Sequence, residues 1–433
     1  VTISAAEGPP RPRTGPPPAG DRTGPARVDL RGARLEVCLA PGEVAVVDRL
    51  DLDLVAAHAI LSRRPVAVIN VTSSASGRAP GLGAAALVAA GVRVVDDAGP
   101  GVLAAVDDGD VVTVTADGQV RRDGVTVVTG RVLDEPAVAR AMQAGRSALG
   151  AQVAAFGAAA AGVLDADGDA LLPPGDEPVP DLAAVLAGTG GRGRRRARVL
   201  RRRPVLVVAG GPRTPADLAV ARRRLPAGVV VVATPEGADV ALGRGLRPDV
   251  VVGDGRRLTA RVLAAGPVVV HLVPPAASPR DVAEARERLD RSAAAVGSWR
   301  DWRTGLAAAE AAVVLGHAAG APVVVTAGAP HGLLEFADRP PRAMAGAALV
   351  AAAVGHRTVD PAALAVVARP PVGWGAGAVT GAAGLVALGV ALAVLAGWVP
   401  GDWRLPDGVA EAVRSLAALV PSRPAGVGAE PGG

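Results

Sequence analysis

Two loops hold the residues best suited to chemistry. At the end of the apolar run 65–71 and just beyond it stand Asn70, Thr72, Ser73, Ser74, Ser76, Gly77 and Arg78. They gather hydroxyls, a permissive glycine and a cation in one loop. At the C-terminal end of a strand such a set makes an anion pocket; the alternative is a Ser-rich loop capped on its own backbone. A second loop, Gly210-Gly211-Pro212, follows the apolar run 205–208. Its glycines would let a phosphate approach the backbone, and an ordinary strand-to-helix connection would look the same. The histidines (His58, His271, His317, His331 and His356) are scattered without metal-ligand spacing and read as structural. Glu335 and Asp338, near His331, read as surface charge. No side chain stands out as a catalytic base.

Alternating strands and helices would position these loops. Strands are expected at 35–39 and 44–47 around Ala40-Pro41-Gly42, a helix over 51–61 and a strand over 65–71. A helix over 82–90 closed by Gly91 and a strand over 92–95 follow. That order implies an α/β layer with parallel strands. The runs 111–114 and 125–128, with turns at Asp117-Gly118 and Asp123-Gly124, predict small antiparallel strands. An Ala-rich helix then runs from about 135 to 164, giving a first domain over 26–164. Residues 165–203 read as a linker, acidic and Pro-rich at first, then Arg-rich over 192–203. The Arg run is a solvated loop or a grip on anionic lipid or nucleic acid. A second α/β domain spans 204–369, with strands at 205–208, 229–233, 250–252, 268–272 and 323–326. Helices at 215–224, 237–244, 284–289 and 306–319 complete a doubly wound sheet.

Composition narrows the function. The chain has 433 residues, half of them apolar, which excludes wholesale disorder. It has no Tyr and two Phe, so its cores must be built from Val, Ala and Leu, and modules that stack bases on rings are disfavoured. Every basic residue is Arg and Asn is almost absent, a bias of the kind a GC-rich genome imposes. The net charge of +5 is modest, and a nucleic-acid partner is not implied. The single Cys38 excludes an internal disulfide or a multi-thiolate zinc site, suggests a reducing compartment, and is expected in the core. Residues 1–25, rich in Pro, Gly and Arg, lack the apolar core of a signal peptide and are expected to be a disordered tail.

Near the other end, no charge occurs between Arg369 and Asp402. Residues 379–398 supply about 20 apolar positions, enough to cross a hydrocarbon core of roughly 30 Å. Trp374, Trp398 and Trp403 stand where an aromatic belt would. A single transmembrane helix over 372–399 is therefore expected, with Arg357 and Arg369 keeping the two α/β domains cytoplasmic. Residues 400–433 would form a short outer tail. Association of copies through helix 135–164 or through the span is a further expectation.

Several segments together resemble the actinobacterial cytokinetic ring protein SteA family. They are Val28-Asp29-Leu30-Arg31, the run from Leu39 to Asp48, Asp51-Leu52-Asp53, Ile69-Asn70, Ser76-Gly77-Arg78-Ala79-Pro80-Gly81-Leu82-Gly83 and Val95-Asp96-Asp97-Ala98-Gly99-Pro100. The resemblance runs from about residue 26 through the charge-free stretch. It implies a membrane-anchored cytoplasmic scaffold at the division septum that works with a second membrane protein to control septal cell-wall cleavage. It also implies that the second domain is similar to a thiamin pyrophosphokinase. Gly237-Ala238-Asp239 falls on the kinase's Gly-Ala-Asp element. The stretch from Arg247 to Asp254, with Asp249, Gly253 and Asp254, falls on Pro-Asp-x-x-x-Gly-Asp.

The kinase pattern is eroded. Asp254 remains, but the following Asp and Ser positions are Arg256 and Arg257. A later acidic cluster aligns with Thr304-Gly305-Leu306-Ala307, and Asp-Gly-Gly has become Pro235-Glu236-Gly237. Pyrophosphoryl transfer needs carboxylates on Mg²⁺, so the resemblance implies a pseudo-enzyme with no required cofactor. A nucleotide such as ATP is the ligand Gly210-Gly211 would admit, with Arg256 and Arg257 in place of the metal. The alternative is an active nucleotide-dependent pyrophosphokinase.

Overall fold

The computed structural model describes residues 20–29, 38–171, 179–187, 203–292, 298–330 and 332–367, with a few positions between 194 and 200. Those residues belong to one compact unit of two α/β lobes.

The first lobe runs β1 (Arg22–Asp29), β2 (Val44–Val47), α1 (Leu54–Ser62), β3 (Ala67–Asn70), α2 (Leu82–Ala89), β4 (Arg93–Asp96) and α3 (Gly101–Ala105). Four strands follow: β5 (Val111–Val114), β6 (Gln119–Arg122), β7 (Val125–Thr129) and β8 (Arg131–Val132). The sheet order is β7-β6-β5-β1-β2-β3-β4-β8, with β1 to β4 parallel and the rest antiparallel. The β6–β7 hairpin turns on Asp123 and Gly124, both at positive φ (51° and 80°), as a tight two-residue turn requires. β1 corrects the expected tail: residues 22–25 pair with β5, Arg22 opposite Val114. Cys38 is exposed, not in the core; the expected strand at 35–39 falls mostly outside the described residues.

The Ala-rich segment forms two helices, α4 (Glu135–Ser147) and α5 (Leu149–Leu171), bent by 64° at the break near Ala148. α5 belongs to the second lobe: Phe156, Ala159, Ala160, Val163 and Leu171 pack into its core. Part of the expected linker does the same, for Leu182, Val185 and Leu186 of α6 (Leu182–Ala187), and Leu200, are buried there. Apolar residues set among Pro and Arg had the look of a connector. Arg194, Arg195 and Arg198 are exposed, and the rest of the Arg run up to residue 202 lies outside the described residues.

The second lobe continues with β9 (Val205–Val208), α7 (Thr214–Arg224), β10 (Val230–Ala233), α8 (Pro235–Gly243), β11 (Val250–Gly253), α9 (Ala260–Ala264) and β12 (Val268–Val273). Then come α10 (Pro279–Arg291), β13 (Ser298–Arg303), α11 (Ala308–Ala318), β14 (Val324–Ala327), α12 (Leu333–Ala337), α13 (Pro341–Val354), β15 (Thr358–Val359) and α14 (Pro361–Val367). All seven strands are parallel, in the order β13-β12-β11-β10-β9-β14-β15. The Val runs explain this. A parallel strand covered by helices on both faces must be apolar at every position. Val205 and Val207 enter one core while Leu206 and Val208 enter the other. Each such side chain stabilises the fold by about 1.5–3 kcal/mol relative to exposure.

The transmembrane helix and the single-pass membrane localisation require correction. Among the described residues no single helix is long and apolar enough to cross a membrane. The stretch 372–399 and the tail 400–433 lie outside the described residues. In a chain so rich in Ala, Gly and Val, a charge-free run is a weak mark of a membrane span. The longest described helix, α5, carries Asp165, Asp167 and Asp169 and packs along α13.

Candidate functional site

The strand order of the second lobe reverses between β9 and β14, where α/β sheets open a crevice at their strand C-termini. A cavity of about 540 Å³ lies there, lined by Gly210 and Gly211 after β9, Thr234 and Glu236 after β10, and Gly328 after β14. Its far walls come from the start of α11, from α13, and from Asp53, Leu54 and Val55 of the first lobe. The loops are tied together: Thr214 Oγ1 donates to Ala209 O (2.7 Å), and the Gly328 N–H to Asp217 Oδ2 (2.9 Å).

The charged lining is paired. Arg257 Nη2 lies 2.8 Å from Glu236 Oε1, and Arg339 Nη1 lies 2.7 Å from Glu310 Oε1. Burial works against the Arg339 charge, yet neighbouring Glu310 holds the guanidinium above its ordinary value. Asp338 bridges the lobes: Oδ2 accepts the Leu54 N–H (2.7 Å) and Oδ1 the Leu82 N–H (2.8 Å), at the first residues of α1 and α2. Burial pushes its carboxyl up to about 6, helped by Asp53 and Asp51 and opposed by the two N–H bonds.

Of the sequence-predicted residues, Gly210 and Gly211 line the cavity, whereas Asp239, Asp249, Gly253 and Asp254 do not. Asp239 accepts from Thr259 Oγ1 (2.8 Å) and faces Arg63 of the first lobe at 3.5 Å. Burial raises its pKa despite both contacts. Asp249 Oδ2 accepts the Val231 N–H and links two strands. Gly253 ends β11, beside His271, whose Nδ1 accepts the Gly255 N–H (3.2 Å). Asp254 is closed off by Arg256, which donates from Nε (3.0 Å) and Nη2 (2.7 Å) to Oδ2 and also reaches Asp281 at 3.1 Å. The Arg256 guanidinium thus takes up the Asp254 carboxylate.

The first-lobe loop closes on itself. Asn70 Oδ1 accepts the Arg49 N–H, and Nδ2 donates to Arg49 O and Ser74 Oγ. Asp96 takes the Ser74 N–H and the Ser73 hydroxyl, and burial raises its pKa. Ser76 donates both its N–H and its hydroxyl to Asp51, and Gly77 supplies a positive φ of 80° for the turn. The capped-loop alternative therefore describes this segment, with one exception. Arg78 is exposed, and its guanidinium has no partner among the described residues.

Sequence reasoning missed Asp338, read as surface charge but only 4% exposed, and Glu310. A usable signal existed for Glu310, the one charge in the otherwise apolar α11 segment before His317. A smaller crevice of about 230 Å³ beside α5 contains Asp167, which is consumed by bonds from Thr304 and Gly305. Among the described residues no group of three or more His, Cys, Asp or Glu is placed to hold a metal. Comparison with known proteins gives no match: no protein-family model, curated protein or solved structure matches this chain.

Proposed function

We propose that the chain is a non-catalytic binding scaffold whose second-lobe cavity takes a small ligand. The non-catalytic part is carried by the Asp254–Arg256 pair, which occupies the carboxylate that Mg²⁺-dependent phosphoryl transfer would use, and the ligand site by the cavity at the strand-order reversal. The residues there do not fit a Mg²⁺–nucleotide. The cellular setting rests on the SteA resemblance alone: control of septal cell-wall cleavage together with a membrane protein of the division machinery.

Both parts are testable. The purified chain given MgATP and thiamin should release no AMP; AMP formation would overturn the non-catalytic reading. A fluorescent fusion should concentrate at the septum of dividing cells, and uniform labelling would remove the division role. Arg78→Ala should leave thermal stability within about 0.5 kcal/mol of wild type, because the side chain is exposed and has no partner among the described residues. The same variant should impair daughter-cell separation; normal separation would show that Arg78 binds nothing the function needs.

A further inference from the structure

We infer that the cavity at the strand-order reversal accepts a protonated amine on an apolar body and disfavours a nucleoside polyphosphate. The inference rests on the reading of this cavity as a ligand site. Helix N-termini attract anions, and phosphate sites exploit them. Here the protein's own carboxylates already stand at those helix starts. The first turns of α7, α8 and α11 carry Asp217, Glu236 and Glu310, and α1 begins with the Asp53 cap and the Asp338 bond. The lining holds five carboxylates (Asp53, Glu236, Glu310, Glu335, Asp338) against three guanidinium groups (Arg213, Arg257, Arg339). Arg257 and Arg339 are already paired to Glu236 and Glu310, leaving exposed Arg213 to meet a ligand anion. A triphosphate would add charge of the sign already in excess.

Glu310 supplies the positive side of the argument. It is only 6% exposed and lines the cavity; Oε1 lies beside Arg339, while Oε2 is buried with no hydrogen-bond partner among the described residues. A buried carboxylate oxygen without a donor is costly, and an ammonium N–H would satisfy it with a charge-assisted bond. The remaining wall, including Leu54, Val55, Val313, Pro330, Phe336 and Val350, suits an apolar body. The volume of about 540 Å³ is that of a small-molecule site.

The test uses the full chain and three probes: phenethylammonium, its oppositely charged near-isostere 3-phenylpropionate, and MgATP. Phenethylammonium should bind about tenfold more tightly than 3-phenylpropionate, and Glu310→Gln should weaken it by about tenfold. If Glu310→Gln does not fold, the comparison of the two isosteres on the wild-type chain decides. Preference for 3-phenylpropionate or MgATP would overturn the amine assignment and leave the cavity standing as a ligand site. Unchanged phenethylammonium binding in folded Glu310→Gln would overturn the role of Oε2. No binding of any probe at about 10 mM would overturn the ligand-site reading as well.

Discussion

Replacing Asp338 with Ala should destabilise the protein by about 2–4 kcal/mol near pH 5 and split urea unfolding into two transitions. The carboxylate accepts the first N–H of both α1 and α2, so its loss strips two helix starts at once and removes two bonds between the lobes. The effect depends on pH in a definite direction. Burial first, then Asp53 and Asp51, push the folded-state carboxyl up to about 6. The unfolded value is about 3.9, so between these values the folded state holds the proton more tightly. That contribution is complete below about pH 4 and is lost as the pH rises through about 6. A shift of about two pH units corresponds to about 3 kcal/mol. Wild type should therefore lose more stability between pH 5 and 7 than Asp338→Ala does. Comparing the two chains isolates Asp338 from Asp96 and Asp239, which burial shifts in the same direction. Equal unfolding midpoints for both chains at pH 5 would show that the bridge contributes nothing.

Gly237→Ala should cost about 3 kcal/mol or more, and should distort the cavity by displacing α8 from the end of β9. A Cβ at this position would sit 2.0 Å from the Val208 carbonyl oxygen and 2.7 Å from its carbon. Neither side can yield easily. Val208 ends a strand paired on both edges, and Thr234 N–H is bonded to that same carbonyl while its hydroxyl takes the Gly237 N–H. Gly157→Ala is the control: it lies inside α5 with open space around it, and the same methyl group should stabilise by about 0.5–1 kcal/mol. Thermal unfolding of both variants checks the pair, and similar melting points would show that α8 adjusts freely.

The strands legible in the sequence were those whose local pattern and tertiary environment agree. A parallel strand buried on both faces must be apolar throughout, so Val205–Val208 and Val268–Val273 announce themselves. β13, written Ser-Trp-Arg-Asp-Trp-Arg, is an edge strand exposed at Ser298, Arg300 and Arg303 and carries no such mark. The start of β1 was hidden because Arg22-Thr23-Gly24-Pro25 continues the composition of the tail, and these four residues pair with β5.

The site was partly legible for a similar reason. Gly210-Gly211 follows directly on a strand, so local reading finds it. Asp338 meets partners 284 and 256 positions away, and nothing in Ala337-Asp338-Arg339 encodes that meeting. Asp254 shows the opposite failure: the motif residue is present, and Arg256, two positions on, takes its lone pairs.

The bridge at Asp338 also sets an order of events during synthesis. Leu82 emerges 256 residues before its partner carboxylate. At about 5–20 residues per second, the first lobe waits about 13–50 s for that residue to be added. Through that interval the start of α1 has only Asp53 as a cap, and the start of α2 has no side-chain cap at all. The nascent first lobe reaches its finished state only when translation has nearly completed the second.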